Sequence, residues 1–435
     1  MRVGSKLTTG WKATISVAMS NYIEAGSIIA IATSLGLWQK EFGIDDFAVG
    51  LLAAVSANAF GAAVGAIIGG PLCDRYGRKF IYTYDLILYM IGVLIAAFAV
   101  TYGMLLVAFI VTGIAVGAGI PASWTYIAEN APAEKRAAHI GSAQFAWSMG
   151  PTIGFLLAVV LGPLVLLGSR IIFVHLFVVA FVTWYIRQGL AESAIWKTEK
   201  ANVAAGLVAK RGIKQLFSNK ANAKAMLFLF GVYSFWNIVA GQMGIFMPRV
   251  YESAGVESPI EQNLLQVLLW GCTVASTYFG FMKLADKYSR RMLYIGGAAL
   301  GIFAWLLLVF VDVTLPVLIL FAVSWGVAAG VGAQAFYGVW AGELFATPYR
   351  ASAQGVLFFA ARISVGLLSY WFPTLLVTMG VARLGLVMIA LLTVSALVGG
   401  IWAPKTQGKS LEQIEVERYG SFIDARPTEL VAGRV

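Results

Sequence analysis

The sequence predicts an all-α integral membrane protein with twelve transmembrane helices in two related six-helix halves. Three observations lead there. First, 60% of the 435 residues are hydrophobic and only 12% are charged, where a soluble chain carries about a quarter charged. Second, stretches near the ~20 apolar residues that span a bilayer recur twelve times. They fall at 14–37, 47–71, 80–100, 103–127, 139–166, 170–189, 225–248, 262–283, 292–311, 315–343, 352–378 and 381–403. Third, a charged turn after the second stretch returns in altered form after the eighth.

The net charge of +10 does not form the stripe that nucleic acid requires. Lys and Arg fall in the N-terminus (Arg2, Lys6, Lys12) and in alternate loops, as the positive-inside rule demands. Only Lys40, Arg170, Arg249 and Arg383 fall on the other side. An even number of spans puts both termini on one side. The expectation is a multi-pass protein of the plasma (cell inner) membrane, both termini cytoplasmic, monomeric, with no nucleic-acid partner. The short basic N-terminus leads into a stretch long enough to span, which reads as a retained first helix. Cys73 and Cys272 lie far apart in or beside helices, and His139 and His175 are too few for a metal cage. No nucleophile–base set or phosphate loop is visible, so neither an enzyme, a cofactor, a metal site nor an ATP-driven pump is expected.

In chain order, the first span carries Ser20, Asn21, Glu24 and Ser27. The second contains GAAVGAIIGG at 61–70, a run of small residues suited to close helix packing. It leads into Gly70-Pro71-Leu72-Cys73-Asp74-Arg75-Tyr76-Gly77-Arg78-Lys79, read as a tight membrane-surface turn whose Asp74 pairs with a base or a helix N-terminus. Residues 191–224 break the apolar rhythm with Lys197, Lys200, Lys210, Arg211, Lys214, Lys220 and Lys224. They are expected to form a surface linker with amphipathic helical pieces. The predicted division is 1–190, linker 191–224, second half 225–403 and a partly disordered tail 404–435. Across the linker, Asp286, Arg290 and Arg291 echo the first turn, 212 residues on. Glu129 with Arg136 is echoed by Glu343 with Arg350, 214 residues on. Two related halves are expected of a transporter that rocks about a central site.

The turn G-x-L-x-D-R-x-G-R-K resembles the loop between helices two and three of the major facilitator superfamily. Tyr126-Ile127-Ala128-Glu129 with Pro132 and Arg136 is similar to the sugar-porter branch after its helix four. Glu192-Ser193-Ala194 with Trp196 resembles that branch's P-E-S-P-R-W without its prolines, and Pro404 to Glu412 resembles its P-E-T-K-G-x-S-L-E tail. The resemblance implies a secondary active transporter, coupled to protons, carrying a sugar, polyol or sugar acid. An aromatic or other organic anion is the alternative, and a transporter-like receptor a third reading. It also gives the charged residues a role. Asp74, Arg75, Gly77, Arg78, Glu129, Arg136, Glu192, Asp286, Arg290, Arg291, Glu343 and Arg350 form a cytoplasmic clamp between halves; isolated, solvated charges would contribute almost nothing.

Ionisable groups at membrane depth are functional candidates. Glu24 is the expected proton carrier, near the acid of helix one in proton-coupled sugar porters; the helix-four Arg of those porters has Phe109 in its place. Arg362 in the eleventh span presents a fork suited to a carboxylate, or else pairs with Glu24 or backbone. Asp85 is expected to pair with a base of the first turn, and His175 to pack within its helix. The uncharged candidates to bind substrate are Gln144, Trp147, Ser148, Trp236, Asn237, Gln242, Gln266, Trp270, Gln334, Tyr337 and Trp340. Amides grip hydroxyls and aromatic rings stack on a sugar's apolar face. Gln144 matches a sugar-binding Gln of the branch, whereas Phe235-Trp236 replaces its paired helix-seven amides.

Overall fold

A computed structural model describes residues 10–205 and 213–420. Arg2, Lys6, Lys210, Arg211, the side chain of Lys214 and the tail beyond 420 lie outside these. Eleven apolar stretches of the described residues are long enough to cross a membrane. The last holds two spans divided at Gly380, whose φ of 73° interrupts the helix, so twelve spans result. In the first half they are α1 (Trp11–Ala32), α2 (Asp46–Tyr76), α3 (Arg78–Ala97), α4 (Tyr102–Asn130), α5 (Arg136–Leu161) and α6 (Leu166–Arg187). The second half holds α7 (Lys220–Ile245), α8 (Pro259–Met282), α9 (Arg290–Phe310), α10 (Leu315–Glu343), α11 (350–379) and α12 (381–402).

The charged turn is shorter than expected. The α2 helix runs through Gly70 and Pro71 to Tyr76, so Asp74 and Arg75 are helical and only Gly77 breaks the chain. Gly77 adopts φ 100°, and a Cβ there would meet the Glu192 carboxylate and the Trp196 ring. Gly70 serves packing instead: a Cβ would stand 2.6 Å from the Ala351 carbonyl oxygen of α11. The small-residue run thus brings two backbones together, as in other membrane helix pairs.

Three spans are irregular where the sequence reads as continuous. Within α2, Ser56 and Asn58 divide two helical segments, because the Ser56 hydroxyl bonds the Ala53 carbonyl and accepts from the Asn58 N–H in place of the helical pattern. In α10 the break falls at Val331-Gly332. In α8 the last turn, Thr277–Met282, widens to a π-helix.

The most enclosed helix is α1, packed on α4, α5 and α6. The halves meet along two seams, α2 on α11 and α5 on α8. The linker supplies helices Ala194–Ala204 and Ile213–Ser218, and α7 already begins at Lys220. The described part of the tail holds a helix: Leu411–Tyr419 opens with a capping box at Ser410 and Gln413. Its Tyr419 hydroxyl donates to Asn222 and to the Leu344 carbonyl at 2.5 and 3.2 Å.

Gly70→Val should push α2 from α11 and lower stability by about 1–3 kcal/mol, the usual cost of overpacking. Gly296→Val, where a Cβ meets nothing within 4 Å, should change it little. Thermal unfolding of the detergent-solubilised pair measures the contrast.

Candidate functional site

At membrane depth the two halves share one buried ion pair. Glu24 on α1 is fully buried, and its Oε1 accepts from the Arg362 Nη2 of α11. A second Arg362 nitrogen, Nη1, donates to the Asn58 carbonyl at 3.0 Å, an oxygen left free by the break in α2. The guanidinium lies 4.5 Å from the Phe358 ring centroid, a cation–π contact. Asn58 in turn donates to the Gly241 carbonyl of α7 at 3.2 Å. Pairing of this kind is what keeps a charge tolerable in an apolar medium.

The helices that make this pair and those packed on them carry buried polar atoms that no protein group satisfies. They include Glu24 Oε2, Arg362 Nε, Gln144 Oε1, Asn237 Nδ2, Gln266 Nε2 and the hydroxyls of Tyr233 and Tyr337. The Trp147 indole N–H stands beside the Glu24 carboxyl without closing a hydrogen bond of normal geometry. Tyr233 stacks on Tyr337 at 4.1 Å, and Trp124 meets Tyr337 edge-on at 5.3 Å. Tyr233, Asn237 and Gly241 recur every four residues and so share one face of α7. Across the α5–α8 seam, Trp147 packs on Trp270 at 5.2 Å, whose indole donates to Gln266 at 2.9 Å. Native interiors rarely leave such atoms unpaired without a reason.

Contacts therefore link Glu24, Trp147, Gln266, Trp270, Tyr337 and Arg362, with Gln144 and Asn237 one turn from Trp147 and Tyr233 on their helices, and they add Trp124, Tyr233 and Asn58, which sequence reasoning missed. Other candidates point elsewhere. Trp236 lines a small space with Gly297, Leu392 and Ser395 inside the second half. Trp340 packs on Phe228, Phe336 and Tyr294. Gln242 is tied to α11 through the Val365 carbonyl and the Ser369 hydroxyl. Ser148 donates to the Gln144 carbonyl of its own helix. Gln334 is buried on α10, one turn before Tyr337. Asp85 does not reach the first turn: it accepts from the Leu86 N–H at 2.6 Å, next to Arg187. Arg187 donates to the Ser16 and Val17 carbonyls of α1. His175 pairs with Tyr22 at 2.8 Å.

At one end of the bundle the repeated charges interlock. Asp74 accepts from the Ser352 N–H and hydroxyl at 2.8 and 2.7 Å, at the start of α11. In the copy, Asp286 accepts from the Ala137 and Ala138 N–H groups at 3.1 and 2.9 Å, at the start of α5. Each aspartate thus caps a helix N-terminus of the other half. Glu129 takes Arg78 from its own half and Arg350 from the other. Glu343 takes Arg290 from its own half and Arg136 from the other. Both glutamate side chains are fully buried. Three expected members stand apart. Arg75 is exposed and stacks on Tyr76, and Arg291 is exposed; each points to solvent from a helix whose other face makes the contacts. Glu192 stays within the first half, accepting from Lys79 N–H and Ser193 N–H at 2.9 Å each. At the opposite end Arg249 crosses to Asp46 at 3.1 Å and to Gln39. That pair is half-exposed and correspondingly weak.

Two six-helix halves, cross-linked at both ends around a buried polar centre, define a membrane transporter of the alternating-access class, not an enzyme. The chain belongs to the Major Facilitator Superfamily, whose sequence profile matches residues 13–368. It is 43% identical over 414 residues to the minor myo-inositol transporter IolF of Bacillus subtilis (strain 168), covering 94% of each chain. It is 28% identical to the arabinose-proton symporter of Escherichia coli (strain K12), over 54% of this chain and 55% of that one. A solved structure of the proton:xylose symporter XylE bound to 6-bromo-6-deoxy-D-glucose superposes with a TM-score of 0.77 at 20% identity. It covers 93% of this chain and 98% of that one.

Asp74→Asn should slow transport strongly while leaving substrate binding intact, because the clamp lies away from the central groups. Uptake into vesicles and ligand protection against thermal unfolding separate the two; loss of both in a well-folded variant would contradict it.

Proposed function

We propose that this chain is a proton-coupled symporter of a neutral, hydroxyl-rich small molecule of the cyclitol or sugar class. The observation that carries this reading is the Glu24–Arg362 pair. An arginine already bonded to a carboxylate and a backbone carbonyl is not free to anchor an anionic substrate. Beyond one oxygen and one nitrogen of the pair itself and the Trp147 indole, the unpartnered groups of the centre are amides and phenols, the chemistry that holds hydroxyls. The similarity to a myo-inositol transporter supports the same class.

In the proposed cycle, Gln144, Asn237, Gln266 and the Tyr233 and Tyr337 hydroxyls bond the substrate's hydroxyls, and Trp124 and Trp147 cover its apolar faces. Glu24 takes up the proton. Once neutral, it no longer attracts Arg362 across the seam, and the pair that ties α1 to α11 weakens. Because the pair joins the halves directly, proton binding and rocking share one contact. The halves at 1–190 and 225–403 then move about the centre as the clamp opens. The clamp end is proposed to face the cytoplasm of a plasma-membrane protein, with both termini on that side. Each chain holds the complete set of groups, so a monomer is the proposed unit.

A thermal-shift screen of purified protein tests the substrate class, since a ligand bound to the folded form raises apparent stability. Neutral polyols and sugars should stabilise it; a preference for organic acids, with binding lost in Arg362→Lys, would overturn the reading. Glu24→Gln should lose accumulation against a gradient yet retain exchange of labelled substrate, and a mutant that still concentrates substrate would remove Glu24 as the proton carrier.

Stability offers a separate check on the pair. Glu24→Gln and Arg362→Gln each leave one buried partner unmatched, a loss of about 3–5 kcal/mol. The double variant should be more stable than Arg362→Gln alone.

A further inference from the structure

A groove of about 800 Å³ opens on the side of the bundle, and none of the central groups named above lines it. Its walls come from both halves: Met19 of α1, Phe145 and Met149 of α5 and Val179 of α6 on one side, Met282 of α8 on the other. The surface is almost wholly apolar, and the groove runs along the α5–α8 seam. At the clamp end it finishes at Lys283. That lysine is held in place: its Nζ lies 4.7 Å from the Tyr278 ring centroid and 5.3 Å from that of Phe279. The π-helical turn Thr277–Met282 accounts for this arrangement. A wide turn brings residue i+5 over residue i, so Lys283 stands above Tyr278 and borders the groove. Lys12 and Lys135 follow or precede the groove residues Trp11 and Ala138 within one helical turn. No ion pair joins any of these three lysines to a carboxylate among the described residues.

We propose that this groove binds one anionic phospholipid, its acyl chain along the α1–α5–α8 wall and its phosphate at Lys283. The charge pattern selects the occupant. A cation at the end of a long apolar channel, at the depth where the charged loops begin, matches a lipid with a negative headgroup and not a zwitterionic one. The location gives the lipid an effect. The groove spans both halves beside Asp286 and its bonds to Ala137 and Ala138. A chain lodged across the seam therefore bridges α5 and α8 while the clamp is closed, and parting of the halves dismantles its site. The bound lipid stabilises the clamped state.

The test uses the full chain in nanodiscs of phosphatidylglycerol mixed with phosphatidylcholine, released for native mass spectrometry. Wild-type protein should retain one phosphatidylglycerol in preference to phosphatidylcholine. Lys283→Gln should reduce that retention about fivefold, the effect of one lysine near an anionic headgroup. Ala146→Phe, which fills the apolar wall with Lys283 in place, should lose it as well. Equal retention of the two lipids by the wild type, or unchanged phosphatidylglycerol retention in Lys283→Gln, would overturn the proposal. Substrate protection against thermal unfolding should persist in both variants, so a failure here is distinct from a failure of the transport reading.

Discussion

A charge withdrawn from water inside a membrane has to find its partner within the protein, and Glu24 and Arg362 find theirs in each other. The consequences spread outward from that contact. Arg362 also needs an acceptor for its second nitrogen, and the break in α2 at Asn58 exposes the carbonyl that serves. Asn58 then reaches α7 through the Gly241 carbonyl. Three helices that could pack as independent apolar rods, α1, α2 and α11, are fixed in register by one ion pair and its bonds. An irregular backbone at membrane depth is tolerable because it is enclosed by protein and its groups are used.

The clamp obeys the same constraint with a different geometry. Each buried glutamate is shared by two arginines, one from each half, and each aspartate caps a helix of the opposite half. Removing either glutamate strands two buried arginines, one from each half, so each cluster depends on a single carboxylate. A network of this kind suits the gate proposed above. The latch at Arg249, at the other end, is half-exposed and holds one ion pair, and it weighs less. Asymmetry between a dense set of contacts at one end and a thin one at the other follows from where the repeat placed its charges.

The repeat also explains a difference in fate between look-alike residues. Arg75 and Arg78 sit three apart in the same motif, yet Arg78 is buried against Glu129 while Arg75 is exposed. Arg290 and Arg291 divide in the same way. Arg290 and Arg291 are neighbours on α9, where a hundred-degree step per residue puts only one of them on the buried face; Arg75 ends α2 and Arg78 opens α3, on either side of the break at Gly77.

The sequence by itself determined the fold class, the number of spans, the repeat and most of the charges that interlock at one end, though not that Arg75, Arg291 and Glu192 stand apart from them. Each of these is a local pattern: hydropathy over about 20 residues, a motif and its echo. It also singled out Glu24 and Arg362, because a charge in an apolar stretch is conspicuous without any structure. Their pairing was one of several open choices, since 338 residues separate them. Only the tertiary structure decided it, along with the removal of Trp236, Trp340 and Gln242 from the centre and the arrival of Tyr233 and Trp124. Which face of a wholly apolar helix turns inward leaves little trace in hydropathy, because lipid and protein interior are alike to a leucine. That choice rests on small residues, single hydrogen bonds and helix breaks such as Asn58, whose meaning appears only when the neighbouring helix is in place.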